Sequence, residues 1–308
     1  MYFNILGRTI QRRIFTIIVL LSFLLIFLKV SKNAYCDSNE GFTQELPFIF
    51  KEGDEVFDEF YAEIYSIIHK PYLYVDSITE QVVKYSNIDV DKSSLLVISI
   101  DTGEQSNSFQ SKGINTFSVI KYQKMFLQSQ ITFPHLRIKV DNIENPMIYE
   151  KSTFSHIFCS GTVFYTIEAK TKLLRNMYNW LKPDGILLLQ LSDRSKFDTI
   201  LSSKTSQIMD SPQKYHNERI TDLEIDFGSF KYLSKYDFKD AEKKNIVYFT
   251  DTFTDTNTQH VRKNEQILYM ENVDDIIKTV NQCGFSVLRK INLIHDINQF
   301  IYVLERKH

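Results

Sequence analysis

The stretch from Phe154 to Asp193 constrains the fold most, because it contains a complete strand, helix, turn and strand. Phe154–Cys159 is an apolar run that ends at Ser160, as a buried strand followed by a loop would. Apolar residues recur at three- and four-residue spacing from Ile167 to Leu181, which predicts an amphipathic helix. The aliphatic run Ile186–Leu191 predicts a second strand that is covered on both faces. Two such strands joined by a helix are parallel neighbours, so the sequence predicts an α/β fold.

The segment between this helix and the second strand, Lys182–Gly185, reads KPDG. Proline cannot continue the helix, and we expect Gly185 to supply the positive φ that the turn requires. WLKPDGILLLQLSD resembles the "LKPGG" segment and following strand of class I S-adenosylmethionine-dependent methyltransferases, and FSHIFCSGTVFYTI resembles the strand and loop before it. Further along the chain, the pattern that includes VRKNEQILYM and CGF resembles the β insertion and return helix of methyltransferases of the small-molecule, type 11/25 kind. The resemblance implies a Rossmann-like sheet of seven strands with an antiparallel last strand. It also implies S-adenosylmethionine as the cofactor and a cofactor contact at Ser160.

The first strand of that family is matched by Ser94–Ile100, and the family loop after it carries glycines in the pattern D-x-G-x-G-x-G. Those glycines let the backbone approach the cofactor. Aligned on Thr102-Gly103, this sequence has Val97 at the acid position and Ser99 and Asp101 at the first two glycine positions. The resemblance implies that Asp101, Thr102 and Gly103 border the cofactor. Side chains at the glycine positions narrow the space, and Asp101 puts negative charge near the expected place of the cofactor's carboxylate.

Two further acids mark the cofactor site in this family. The strand predicted at Ile114–Ile120 ends in Ile120, where the family has an acid that binds both ribose hydroxyls. Such charge-assisted hydrogen bonds are worth about 1.5–3 kcal/mol. The strand predicted at Leu136–Val140 is followed by Asp141, which matches the family acid near the adenine. The resemblance therefore implies degenerate cofactor motifs, with Asp141 retained and the ribose acid lost.

An aromatic helix is predicted after Glu55, with Phe57, Tyr61, Tyr65 and Ile68 on one face. The resemblance implies that such a helix lies over the cofactor mouth, which would make Tyr61 or Tyr65 a neighbour of the cofactor. Packing in the core is the alternative role for either tyrosine.

Beyond Asp193 apolar and polar residues alternate, which predicts antiparallel strands in a β insertion at about residues 226–270. The strands of this insertion are predicted at Gly228–Phe238, Ile246–Thr254 and Gln259–Met270. The elements predicted after it are a helix at Asp274–Cys283 with Gly284 as its C-cap, a strand at Phe285–Ile291 and the last strand at Gln299–Leu304.

Residues 14–28 form a charge-free apolar run between arginines and lysines. A helix there would span roughly 22 Å, so flanking side chains would have to reach the membrane surface. We interpret residues 14–30 as a single-pass transmembrane signal anchor. The alternative is a signal peptide cleaved near Ala34-Tyr35-Cys36, which would yield a secreted protein. The resulting division is a basic segment at 1–13, the anchor at 14–30, a linker at 31–54 and a methyltransferase-like domain at 55–308.

The net charge of the 308-residue chain is −2, so no nucleic-acid partner is expected. Three cysteines and seven scattered histidines show no metal-ligand spacing, so no metal site is expected. The high content of Ile, Asn, Lys, Tyr and Phe is typical of AT-rich genomes, such as those of protist parasites or large DNA viruses.

Three functions are compatible with these patterns. The sequence favours a degenerate methyltransferase-like protein that acts as a binding or structural module on a membrane. The first alternative is an active small-molecule methyltransferase with a non-standard cofactor loop, because methyl transfer depends mainly on proximity and geometry. The second is a nucleotide binder of other chemistry, which the absence of GxGxxG and GxxxxGK disfavours.

Overall fold

Two β-sheets organise the structure, a computed structural model that describes residues 46–161, 163–199 and 218–307. The strands are, in chain order, β1 (Phe48–Glu52), β2 (Ser94–Ile98), β3 (Asn115–Ile120), β4 (Ile138–Val140), β5 (Phe154–Cys159), β6 (Leu181–Ser192), β7 (Asp222–Asp226), β8 (Phe230–Asp237), β9 (Ile246–Asp255), β10 (Val261–Tyr269), β11 (Phe285–Asn292) and β12 (Gln299–Arg306). The α-helices are α1 (Glu59–His69), α2 (Val75–Tyr85), α3 (Glu104–Ser111), α4 (Gln123–Thr132), α5 (Lys170–Trp180), α6 (Ala241–Lys244) and α7 (Val273–Gln282).

The larger sheet has seven strands in the order β11-β12-β6-β5-β2-β3-β4. The five strands from β6 to β4 pair in parallel, and β12 runs antiparallel to both of its neighbours. Leu95 and Val97 of β2 pack in one apolar cluster and Leu96 and Ile98 in the other, because successive side chains of a strand point to opposite faces. The predicted seven-stranded α/β sheet with an antiparallel last strand is therefore confirmed.

The strand-helix-strand unit is confirmed as well, apart from its turn. β5 has its predicted bounds, and α5 begins at Lys170 rather than at Ile167. Asp184, with a φ of 60°, adopts the positive φ that was predicted for Gly185. A Cβ atom on Gly185 would lie 2.7 Å from the carbonyl oxygen of Lys182. The prediction for Gly185 was therefore wrong: glycine is required there for a close backbone approach.

The elements after the insertion match their predictions within a few residues. α7 packs through Ile276 and Val280, and Gly284 follows it with a φ of 94°, as expected for a glycine at the end of a helix. A Cβ atom on Gly284 would lie 2.7 Å from the ring of Tyr178, so the position also has no room for a side chain.

The smaller sheet has five strands in the order β1-β10-β9-β8-β7. β7 to β10 pair antiparallel, as predicted for the insertion, although β7 begins at Asp222, ahead of residue 226. β1 pairs in parallel with β10, with Phe48 opposite Val261. Residues 48–52 are thus a strand rather than part of the linker predicted at 31–54. The folded unit accordingly begins at Leu46 and not at residue 55.

The predicted membrane segment lies outside the described residues, as do the basic segment before it and most of the predicted linker. Among the residues that the structure describes, no helix has the length and apolarity needed to cross a bilayer.

Candidate cofactor and ligand site

The carboxyl ends of β2, β3, β4 and β5 meet at one edge of the larger sheet, because these strands are parallel. Backbone hydrogen bonds connect the loops there: Ser160 N–H donates to the Ile98 carbonyl at 2.9 Å, and Asp141 N–H donates to the Ile120 carbonyl at 3.2 Å. The six predicted site residues lie on these loops and on the neighbouring helix α1: Asp101, Thr102, Gly103, Asp141, Ser160 and Tyr65.

Asp101 bonds to its own loop after β2. Its Oδ1 accepts hydrogen bonds from Ser99 Oγ at 3.0 Å and from Gly103 N–H at 2.8 Å. The residue is only 8% exposed, and burial together with the nearby charge of Glu104 raises the pKa of its carboxyl group. Gly103 has a φ of 104° and caps the N-terminus of α3. A backbone N–H at this helix N-terminus is therefore bound by a side chain of the same loop.

Helix α1 closes over this loop through Ser66. The Ser66 hydroxyl lies 3.1 Å from Thr102 Oγ1 and donates a hydrogen bond to Glu104, which also accepts one from Thr102 Oγ1 at 2.8 Å. The second carboxylate oxygen of Glu104 is buried without a hydrogen-bond partner. Burial raises the pKa of Tyr65, and the charges of Asp101 and Glu104 add to this effect. That Tyr65 neighbours a cofactor remains a prediction.

The carboxyl end of β3 is apolar and covered. Ile120 is buried. A short 3-10 turn at Gly53–Val56, which precedes α1, packs against Lys121 and Tyr122, the two residues after Ile120. Asp54 of this turn accepts hydrogen bonds from Lys121 Nζ at 2.7 Å and from the Tyr122 hydroxyl at 3.2 Å. The ring of Phe57 stacks on that of Tyr122 with centroids 3.8 Å apart. Position 120, where the resemblance implies an acid that binds the ribose hydroxyls, thus has an apolar side chain.

Asp141 is half-buried, with 29% of its side chain exposed. Its Oδ1 accepts a hydrogen bond from Asn142 N–H at 2.8 Å, and its Oδ2 lies 3.7 Å from Lys139 Nζ. The Asn142 contact is ordinary turn chemistry after a strand. Next to Ser160, Gly161 N–H is bound by Gln190 Oε1 at 2.9 Å. The roles of Asp141 and Ser160 in ligand binding remain predictions.

Sequence reasoning missed the polar residues that α1 contributes. The Tyr61 hydroxyl lies 3.2 Å from His69 Nε2, and burial lowers the pKa of His69 to about 4, so its imidazole is neutral at pH 7. Ser66 and Glu104 were also missed. Ser66 lies outside the predicted aromatic face, so no pattern in the sequence pointed to it, and an acid such as Glu104 in the first turn of a helix is too common to be a signal.

No known family profile and no curated protein matches this sequence. Solved structures do match. A S-adenosylmethionine-dependent methyltransferase from Clostridium acetobutylicum superposes with a TM-score of 0.59 at 18% identity, over 80% of this chain and 98% of that one. The chain has a methyltransferase fold. The CcbJ methyltransferase from Streptomyces caelestis has a TM-score of 0.61 at 9% identity, over 83% of this chain and all of the other. CalS10, an amino pentose methyltransferase from Micromonospora echinaspora, has a TM-score of 0.55 at 12% identity, over 82% of this chain and 98% of that one.

Three residues at the expected cofactor site of this methyltransferase fold, Asp101, Glu104 and Ile120, bear on whether S-adenosylmethionine fits there. Gly103 N–H is bound by the buried Asp101 carboxyl, and Glu104, which is half-buried, adds a second acid beside it. Two acids disfavour the carboxylate of the cofactor's methionine part, and the apolar Ile120 cannot bind its ribose hydroxyls.

Proposed function

We propose that this protein is a methyltransferase-fold binding module that does not use S-adenosylmethionine. The observation that carries the proposal is the buried Asp101 carboxyl bonded to Ser99 and to Gly103 N–H, in the loop where a cofactor would approach the backbone. A ligand carboxylate in that place would have to displace this internal bond and to lie beside Asp101 and Glu104.

The expected loss of cofactor affinity is large. The absence of a ribose acid at Ile120 and the carboxylate of Asp101 together weaken the free energy of cofactor binding by about 4 kcal/mol. A micromolar site, near −8 kcal/mol, would then bind at about −4 kcal/mol, which is a millimolar dissociation constant.

We therefore expect the full chain to show no thermal shift with S-adenosylmethionine at sub-millimolar concentration. A ligand at about 100 times its dissociation constant would stabilise the protein by about 2.7 kcal/mol, or on the order of 5–10 °C for a domain of this size. The variant Ser99→Gly, Asp101→Gly, Ile120→Asp should gain a shift, because it restores the glycines and the ribose acid.

The matched control is Ser99→Ala, Asp101→Asn, Ile120→Leu, which changes the same three positions but keeps side chains there and supplies no ribose acid. It should stay unresponsive. A shift of 5–10 °C in the unmodified chain would overturn the proposal and favour the second candidate.

That second candidate is an active small-molecule methyltransferase with a non-standard loop. It is supported by the similarity to solved methyltransferases, among them CalS10, described as an amino pentose methyltransferase bound to S-adenosylmethionine. Methyl transfer needs proximity and geometry more than a general base. The proposal of a non-catalytic module takes precedence because Asp101 and Ile120 both oppose the cofactor.

The proposal includes attachment to a membrane through residues 14–30, supported by the apolar run in the sequence. We expect the full chain to pellet with membranes after carbonate extraction, and deletion of residues 14–30 to release it. Mature protein that begins near Asp37 in a soluble fraction would instead identify a cleaved signal peptide.

A further inference from the structure

The outer face of the smaller sheet carries exposed apolar side chains at its β1 edge. Successive side chains of a strand point to opposite faces, so Phe48 and Phe50 share the outer face, where they are 57% and 44% exposed. They are the only exposed phenylalanines in the part of the chain that the structure describes. Leu46, two residues before the strand, is 61% exposed. A cluster of large exposed apolar side chains marks an interaction surface.

Strand register extends this cluster across the sheet. Phe48 lies opposite Val261 of β10, and Phe50 lies opposite Lys263 of the same strand. Directly opposite residues share a face, and the row through Lys263 continues across β9 to Leu233 of β8, which is 39% exposed. We call this surface the outer patch and define it by six residues: Leu46, Phe48, Phe50, Leu233, Val261 and Lys263.

The charges of the outer face are unevenly distributed. Lys263 lies within the outer patch, with its Nζ 5.7 Å from the centroid of the Phe50 ring. One row further Glu52 lies opposite Glu265, which bounds the patch on that side. The strand β7, at the far edge of the same face, carries three exposed acids: Asp222, Glu224 and Asp226. Phosphate groups would attract the Lys263 side of the face and be repelled by the β7 side.

The edge of β1 is poorly suited to pairing with a further strand. Pro47 directly precedes the strand and has no backbone N–H to donate. Lys51 alternates with the exposed Phe50 and Glu52, so it points to the inner face. Proline and inward-pointing charges are devices that protect edge strands from pairing. The outer patch therefore fits a partner that contacts side chains on the face of the sheet, and not one that adds a strand to its edge.

The chain enters β1 from the segment that contains the proposed membrane anchor. Fifteen residues, 31–45, separate the anchor at 14–30 from Leu46. A chain of that length cannot span more than about 50 Å. Anchoring would therefore keep β1 near the bilayer at a high effective concentration, at which weak contacts suffice. Phenylalanine and leucine rimmed by lysine is also the composition of surfaces that bind at the membrane interface.

We propose that the outer patch lies on the surface of a phospholipid bilayer. Leu46, Phe48 and Phe50 insert at the boundary between headgroups and acyl chains, and Lys263 contacts a lipid phosphate. The acidic strand β7 then faces away from the bilayer. This inference gives the proposed membrane attachment a defined orientation, and it rests on that part of the proposed function.

The test uses the full chain in phosphatidylcholine vesicles that contain a phosphatidylcholine analogue with a diazirine near its ester groups. Irradiation attaches this lipid to side chains at the membrane interface, and mass spectrometry locates the labelled peptides. We expect label on residues 46–50 and 261–263. Ile131 and Met147 are more exposed, at 77% and 84%, but lie outside the smaller sheet and should stay unlabelled. No label on residues 46–50, or equal label on Ile131 and Met147, overturns the inference.

The double variant Phe48→Ser, Phe50→Ser should lower the labelling of residues 261–263 about tenfold, because it removes the two rings that would insert. The matched control is Ile131→Ser, Met147→Ser, which removes as many exposed apolar side chains elsewhere and should label like the unmodified chain. Lys263→Glu keeps both rings but should lower the labelling of residues 46–50 about threefold, because it places a negative charge beside the headgroup phosphates. Unchanged labelling in the double variant, or in Lys263→Glu when the double variant is unfolded, overturns the inference.

A second copy of this chain is the competing occupant of the outer patch. Light scattering of the full chain in detergent distinguishes it from the bilayer. A dimer that Phe48→Ser, Phe50→Ser converts to a monomer would assign the patch to a second copy and overturn the inference. A monomer in both cases supports the bilayer.

The result is separable from that for the anchor. Label on residues 14–30 without label on residues 46–50 overturns the inference and leaves the proposed attachment standing. Label on residues 46–50 without label on residues 14–30 supports the outer patch as a membrane surface and contradicts the anchor. The thermal shift with S-adenosylmethionine tests the loss of cofactor binding independently of both.

Discussion

Replacing Trp180 by alanine is expected to lower the free energy of unfolding by about 3–5 kcal/mol, because the indole is fully buried at the junction of α5 and β6. The substitution creates a cavity and removes the hydrogen bond from Nε1 to the Pro146 carbonyl, which is 3.1 Å long. It also removes the edge-to-face contact with Tyr149, whose centroid lies 5.6 Å away. Urea denaturation of the full chain measures the loss.

Ile131→Ala is the control, since this side chain is 77% exposed and its truncation should change stability by less than about 0.5 kcal/mol. Trp180→Phe should recover part of the loss, because it refills most of the cavity without restoring the hydrogen bond. A loss below about 1 kcal/mol for Trp180→Ala would contradict the packing around α5. The segment that loses a contact in Trp180→Ala is Pro146–Ile148, whose Pro146 carbonyl accepts the indole hydrogen bond and which follows the loop that carries Asp141.

Asp101→Asn is expected to stabilise the protein at pH 8. The pKa of the folded-state carboxyl is raised by burial and by Glu104, whereas in the unfolded chain it is near 3.9. The folded state therefore binds the proton more tightly, so the stability of the unmodified protein falls as the pH rises from about 4 through the raised pKa. A tenfold difference in proton affinity corresponds to about 1.4 kcal/mol, so we expect the free energy of unfolding of the variant to exceed that of the unmodified protein by at least that amount at pH 8.

Chemical denaturation at pH 4 and at pH 8 measures this difference. The amide keeps an oxygen to accept from Ser99 and from Gly103 N–H, so the advantage should be large at pH 8 and nearly absent at pH 4. Asp91→Asn, at an exposed position, should show no such pH dependence. Equal destabilisation by Asp101→Asn at both pH values would mean that the carboxylate is ionised and stabilising in the loop.

Local patterns were sufficient for the larger sheet. The apolar runs at Phe154–Cys159 and Gln299–Leu304 and the helical spacing between Ile167 and Leu181 each depend on neighbouring residues, so they could be read directly from the sequence. The turn at Asp184 and Gly185 was assigned to the wrong residue, because a glycine can be required either for positive φ or for close approach.

The unpredicted features depend on residues far apart in sequence. Strand β1 is short, and its pairing partner β10 is distant, so Phe48–Glu52 carries little signal of its own. The alignment of Phe50 with Lys263 and Leu233 is set by strand register, which composition does not show. The loop residues Asp101, Thr102 and Gly103 lie between β2 and α3, as expected from the recognisable strand before them, and their role at a cofactor stays a prediction. Their contacts with Ser66 of α1 required the fold.

The placement of β12 has a consequence for folding kinetics. Because β12 lies between β6 and β11, the larger sheet cannot be completed during synthesis until residues 299–306 have emerged. Likewise, β1 cannot pair until β10 has been synthesised, because its partner residues come more than 200 positions later in the chain. Pairings of such long range slow folding and expose strand edges in the meantime. Nascent chains of this protein should therefore depend on chaperones until β12 has inserted beside β6.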